Sequence, residues 1–158
     1  MNDFEIFSGR SVLVTGHTGF KGSWLCAWLN QIGARVTGVS LSPPSVPSHY
    51  DVIHLSEFVD DQRIDVRDLE KLRSTIVETQ PDFVFHLAAQ SLVGRSYNDP
   101  VATYQTNFHG TLNILEALRA IDKPCVAILI TSDKCYENVE WIWGYRETDS
   151  LGGLDPYS

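Results

Sequence analysis

Cysteine is scarce, methionine occurs once, and no apolar run approaches the roughly 20 residues needed to cross a bilayer. The three cysteines, Cys26, Cys125 and Cys135, are odd in number and form no C-x-x-C pair. That spacing speaks against a disulfide framework and for free thiols in a reducing compartment. Positive charge is short as well: 12 Lys and Arg stand against 20 Asp and Glu, a net charge of −8. Such a balance argues against a nucleic-acid backbone or an anionic membrane surface as partner. The histidines at 17, 49, 54, 86 and 109 show no H-E-x-x-H or other ligand spacing, so no metal site is expected. The opening MNDFEIF is acidic and lacks the basic stretch of a signal peptide. A cytoplasmic protein is the expectation.

What is present is a chain of 158 residues, 43% apolar and 11% aromatic, enough for one domain with a real core. Strand-like and helix-like segments alternate. SVLVT (11–15) is short, β-branched and closely followed by glycine, as a buried strand should be. From Phe20 to Ile32 the apolar residues Trp24, Leu25, Trp28, Leu29 and Ile32 recur at helical spacing, and Gly33 ends the run. ARVTGV (34–39) reads as a second strand, and the Pro- and Ser-rich stretch 42–48 as a loop. A weaker strand is predicted over 58–64, then a helix capped by Asp68 and running to about Thr79. DFVFHLAA (82–89) and VAILIT (126–131) complete five strands, the last the most apolar run in the chain, with a strong helix over 103–121 between them. Strands apolar on both faces, alternating with helices, predict an α/β fold with a doubly wound parallel sheet, Rossmann-like.

Directly after the first strand stands TGHTGFKG, with Gly16, Gly19 and Gly22 spaced G-x-x-G-x-x-G. Glycines there allow a tight strand-to-helix turn and bring backbone close to a pyrophosphate at a helix N-terminus. Lys21 lies between the last two glycines and no G-K-[ST] follows, which excludes a P-loop. About 20 residues on, where an acid would bond ribose hydroxyls, the second strand ends in Val39, Ser40 and Leu41. Neither acid nor arginine is there, so the choice between NAD and NADP is not decided locally. Asp65, after the third strand, is placed to accept from an adenine amino group. The fifth strand runs straight into Thr131, Ser132, Asp133 and Lys134, a hydroxyl, a carboxylate and an ammonium side by side where a core strand stops.

The glycine spacing, Asp65-Val66, His86-Leu87-Ala88-Ala89, Asn107, TSDKCY and the closing DPYS together resemble the extended short-chain dehydrogenases. Within them, GHTGFKGSW, HLAAQSLV, ITSDKCYEN and WGYRE are similar to the nucleotide-sugar 4,6-dehydratases, in particular the branch acting on CDP-glucose. The resemblance implies a lyase that oxidises C4 of the sugar with bound NAD, eliminates water across C5 and C6, and returns the hydride to C6. It places the cofactor along Gly16, His17, Thr18, Gly19, Phe20, Lys21 and Gly22, then Asp65, Val66, Leu87, Ala88, Ala89, Gln90, Asn107 and Thr131. For Asn107 a purely architectural hydrogen bond stays an alternative.

In the same resemblance Tyr157 takes the 4-hydroxyl proton, Ser132 orients that hydroxyl, and Asp133 protonates the departing C6 oxygen. Lys134 stands where other branches carry a glutamate base; a lysine at its usual pKa of about 10.4 is a poor base, so either burial lowers it or it stabilises the enolate. His86 reads as a strand-end core residue, and Trp141 and Trp143 as covers of a loop or flanks of a substrate base. The family's tyrosine is followed four residues later by a lysine, and residues 1–158 reach only Ser158. The expectation is therefore a dinucleotide-binding domain over 1–158, incomplete at its C-terminus, without the substrate domain, inactive alone and a homo-oligomer when full length. A nucleotide-sugar epimerase on the same scaffold and a non-catalytic NAD-binding module are the alternatives.

Overall fold

The computed structural model describes residues 3–158; Met1 and Asn2, the start of the acidic N-terminal stretch, lie outside the described residues. Its strands are β1 (Ser11–Thr15), β2 (Arg35–Ser40), β3 (Asp60–Arg63), β4 (Phe83–His86) and β5 (Val126–Leu129). The helices between them are α1 (Phe20–Gln31), α2 (His49–Val52), α3 (Leu69–Thr79), α4 (Val93–Asn98), α5 (Pro100–Tyr104) and α6 (Gly110–Leu118). All strand pairs are parallel, in the order β3-β2-β1-β4-β5. The chain winds outward from β1 to β3, then returns to the other side of β1 with β4. The carboxyl ends of β1 and β4 thus flank the switch point, where open α/β sheets hold their ligands.

Alternation along each strand builds two cores. Leu13, Val39 and Val84 face α3 and α6, joining Leu72, Ile76, Ile114 and Ala117. Val12, Val14 and Val36 face the other way, onto Cys26 and Leu29 of α1 and onto Tyr50 and Leu55. Leu13, Leu29, Leu72, Ile76 and Ile114 are wholly buried, each contributing about 1.5–3 kcal/mol by transfer from water. Helix ends follow their chemistry. Asp68 accepts from the Lys71 N–H, Asp99 accepts from the Ala102 N–H with Pro100 opening α5, and Gly33 (φ +85°) turns the chain out of α1.

Four expectations change. The buried face of α1 is Gly22, Ser23, Cys26 and Leu29, while Trp24 and Trp28 of the apolar stripe stay largely outside. Small side chains let the helix lie close on the sheet, and indoles would hold it off. β3 consists of Asp-Asp-Gln-Arg, an edge strand made by its ladder to β2 rather than by apolar content. β5 is not buried: Val126 and Ile130 are about half exposed, because β5 pairs only with β4 and forms the other edge. The helix expected over 103–121 is interrupted by a π turn at Gln105–His109, stops at Leu118, and is preceded by α4, which the sequence pattern did not suggest.

Candidate functional site

At the carboxyl end of β1 the chain turns on Gly16 (φ +75°), whose N–H donates to the Val39 carbonyl at 2.8 Å. A Cβ on Gly16 would come within 2.9 Å of the Ala88 nitrogen, and one on Gly22 within 2.1 Å of the Gly16 carbonyl oxygen. These two glycines let the β1–α1 turn, the first turn of α1 and the Leu87–Ala88 backbone pack against one another. Gly19 caps α1 without a side-chain hydrogen bond, so the leading N–H groups of the helix remain open to an anion. Lys21 and Phe20 are exposed beside them.

His17 and Thr18 are buried under the turn rather than facing out of it. His17 Nε2 donates to Asp61 at 2.9 Å, and its ring fills the space that a side chain on Gly38 would need. Asp61 also accepts from the Tyr50 hydroxyl and from Arg63 at 2.8 Å. Burial alone would raise Asp61, but the hydrogen bonds from Tyr50 and His17 outweigh it and hold the carboxyl below its usual range. Burial lowers His17 against the opposing pull of Asp61. Thr18 shares a hydrogen bond with the Ser40 hydroxyl at 2.8 Å and donates to the Leu41 carbonyl.

A second network ties β1 to β4 and on to the π turn. The Leu87 and Ala88 N–H groups both donate to Thr15 Oγ1 at 3.1 Å, which stands 2.7 Å from His86 Nδ1. Thr111 donates to the Asn107 carbonyl at 2.7 Å and lies 3.1 Å from His86 Nε2. With Thr15 accepting twice and Thr111 already donating, His86 must carry its proton on Nε2 and accept at Nδ1. Burial agrees, pushing His86 down to about 4. The sequence reading of His86 as a core residue holds, and its role is to fix the Leu87–Gln90 loop through Thr15. Asn107 completes that loop: its Oδ1 accepts from the Gln90 N–H at 2.7 Å and its amide donates to the Gln90 carbonyl at 3.0 Å. Both polar atoms of Asn107 are thus engaged with backbone. Thr15 and Thr111 carry no motif that would have announced them.

Asp65 and Val66 follow β3. The Arg67 guanidinium grips Asp65 with bonds of 2.6 to 3.0 Å, and these hold its carboxyl below the usual range. Asn113 donates to the Val66 carbonyl at 3.0 Å, and Gly110 leaves room for the Val66 side chain. An open cavity of about 700 Å³ lies here, lined by Asp65, Arg67, Asp68, Gln105, His109 and Asn113. Arg67 and Asn113 were not foreseen from sequence; an arginine two residues after Asp65 was the available signal.

Beyond β5, Ser132 caps a short 3-10 turn, accepting from the Lys134 N–H at 3.2 Å and donating to Asp133 at 3.3 Å. Thr131, Asp133 and Lys134 are exposed. The strand-like bridge Tyr136–Leu151 and a Gly152 N–H bond to the Cys135 carbonyl bring residues 152–158 back to this turn. A cavity of about 260 Å³ results, with Asp133 and Lys134 in one wall and Gly153, Asp155 and Ser158 in another. Ser132 and Tyr157 do not line it. Tyr157 is half-buried in the terminal turn, its N–H donating to Asp155 at 2.9 Å. Trp143 is exposed, while Trp141, about half exposed, lies tilted against Tyr145 at 5.8 Å, on whose ring Tyr136 also stacks at 5.3 Å.

The strand order, the glycine turn at the switch point and the polar turn after β5 define a Rossmann-like domain of the extended short-chain dehydrogenase type. The chain belongs to the GDP-mannose 4,6 dehydratase family, whose model matches residues 13–158. It is 49% identical over all 158 residues to the CDP-glucose 4,6-dehydratase of Salmonella typhimurium, covering 100% of this chain and 44% of that one. Among solved structures, an epimerase of Methanothermobacter thermautotrophicus superposes with a TM-score of 0.83 at 29% identity, over 99% of this chain and 46% of that one. The UDP-glucose 4-epimerase of Stenotrophomonas maltophila, with bound NAD and formylated UDP-arabinopyranose, gives 0.80 at 27% identity over 94% and 44%. The chain spans about half the length of the relatives it matches. Among the described residues no helix is long and apolar enough to cross a membrane.

Proposed function

We propose that these residues form the cofactor-binding part of a nucleotide-sugar 4,6-dehydratase that uses NAD and acts on CDP-glucose. The observation that carries this reading is the pair Asp133 and Lys134 in one cavity wall just past β5. An epimerase needs neither an acid for a departing oxygen nor a cation for an enolate. The similarity to CDP-glucose 4,6-dehydratase over the whole chain supports the same substrate.

The residues at the switch point suit a dinucleotide. Gly16 and Gly22 leave no side chain between the turn and the Leu87–Ala88 backbone, and the open first turn of α1 suits a pyrophosphate. Asp65, held anionic by Arg67, is placed to accept from the adenine amino group. Bound NAD would supply a hydride acceptor for C4 and give the same hydride back to C6. By the family resemblance Tyr157 would take the proton of the 4-hydroxyl and Ser132 would hold that hydroxyl, both from beside the cavity that Asp133 and Lys134 line. The C4 ketone acidifies C5; the C5 proton passes to solvent water, and the C6 oxygen departs as water with a proton from Asp133. Lys134 is exposed and adjacent to Asp133, and it serves as the cation that stabilises the enolate.

The test uses the protein made from its complete gene, with CDP-glucose in heavy water. The product expected is lighter by one water and carries deuterium at C5. An Asp133→Asn variant should lose turnover by about 10²–10⁴-fold while still binding NAD. A product of unchanged mass and inverted C4 configuration would instead establish an epimerase. NAD binding without any change in the sugar would leave a nucleotide-binding module.

A further inference from the structure

The fold leaves an aromatic stripe open on the outer face of α1. Phe20, Trp24 and Trp28 recur there at four-residue spacing and are 70%, 57% and 41% exposed. Phe4, in the 3-10 turn Asp3–Phe7, extends the stripe with its ring 4.7 Å from that of Trp28. The two indoles are open but held in place. Trp28 is braced edge-on by Phe4, and Trp24 stacks on the His49 ring at 4.4 Å. His49 is itself fixed, its Nδ1 lying 2.7 Å from the hydroxyl of buried Ser23. Exposed rings ordered in advance lose little freedom when a partner covers them.

An aromatic side chain presents about 150–250 Å² when fully open, so these four rings together offer roughly 400 Å². A stable interface takes about 800 Å² from each partner, with an aromatic core inside a polar rim. The stripe has the size of such a core, and its charge suits a second copy. The chain carries a net charge of −8, yet residues 16–34 contain no Asp or Glu. Two copies meeting on this face therefore bring no carboxylates together from α1. Lys21 stands exposed at one end of the stripe, and exposed Glu5, beside Phe4, at the Trp28 end. Lys21 and Trp28 lie seven residues apart, about 10 Å along the helix. Antiparallel pairing of two α1 helices puts Trp24 next to the axis and each Lys21 against the partner's Glu5. A face with a cation at one end and an acid at the other is complementary to itself under that rotation.

We propose that the Phe4–Phe20–Trp24–Trp28 face seats a second copy of this chain, α1 against α1 about a two-fold axis. It lies on the side of the sheet opposite α3 and α6.

The experiment is sedimentation equilibrium of the complete protein and its variants over a dilution series. The unmodified protein is expected to pair, and Trp24→Glu to halve the mass of the assembly. That change sets two carboxylates beside the axis and should raise the dissociation constant about thirtyfold or more. Glu5→Lys alone should raise it about threefold, and adding Lys21→Glu should restore it. Oxidised Trp24→Cys should give a covalently linked pair. A monomeric unmodified protein, or an unchanged mass in Trp24→Glu, overturns the proposal. A Trp24→Glu protein that no longer folds overturns it too, because the stripe then packs inside the complete chain. A double variant that pairs no better than Glu5→Lys removes the antiparallel arrangement.

Discussion

The glycine turn and the segment after β5 hold similar residue types, yet they are built on opposite terms. Around the turn, Thr15, His17, Thr18, Ser23 and His86 are buried. Their hydrogen bonds, apart from one local Ser23 bond, join residues between 22 and 73 positions apart. From Thr131 onward the polar groups are mostly exposed, and the bonds of Ser132, Asn138 and Asp155 reach only one to seven residues along the chain. The large apolar side chains there are open as well, Ile142 at 89% and Leu154 at 96% exposed. A buried hydroxyl or imidazole that loses its partner costs about 1–3 kcal/mol, whereas an exposed one turns to water. The first region is therefore a rigid frame, and the second is a set of locally bonded turns open to solvent.

Glycine substitutions should separate the two most sharply. Gly22→Ala puts a Cβ 2.1 Å from a backbone oxygen with no flexible neighbour to give way, and it should cost at least about 3 kcal/mol by denaturant unfolding. Gly94→Ala in α4 meets nothing within 4 Å and should stabilise by about 0.5 kcal/mol. Equal losses at both positions would break the contrast.

Acid acts next in size. His86 is held near 4 in the folded protein by burial, below its ordinary 6.5. Between those values the unfolded chain binds more protons, so the stability present at pH 7 falls as pH drops from about 6.5 to about 4 and levels off below. The loss is up to about 3 kcal/mol. His17 is lowered too and adds in the same direction. Unfolding titrations at several pH values should show this slope, flattened but not abolished in a His86→Leu variant; an unchanged slope would remove His86 from the account. A small loss is expected at Asp155→Ala, which releases the N–H groups of Tyr157 and Ser158 for about 1 kcal/mol or less.

Legibility in the sequence followed the same divide. β1, the glycine spacing and α1 could be read because periodicity and glycine placement are local signals. The buried face of α1 could not, since Gly22, Ser23 and Cys26 look less apolar than the tryptophans they displace from the sheet. β3 was expected over 58–64 and lies at Asp60–Arg63, but its edge position was not readable, and β5 looked buried because apolar content says nothing about which strand lies at an edge. Of the candidate site, the glycines, Asp65, Asn107 and the Ser132–Lys134 turn were singled out from motifs. Thr15, Asp61, Arg63, Arg67 and Thr111 were not, because each acts through a partner brought near only by the fold.

The π turn at Gln105–His109 carries one residue more than an α-helical path needs. Each residue advances a helix by about 100°, so the extra one rotates all that follows against all that precedes. Thr103 and Asn107 can thus serve the Gln90 loop while Thr111 reaches His86 and Asn113 reaches the turn after β3. The helix works as two dials set out of phase on one shaft. Deleting one residue between Gln105 and His109 would keep it helical and leave every contact on one side pointing at the wrong neighbour.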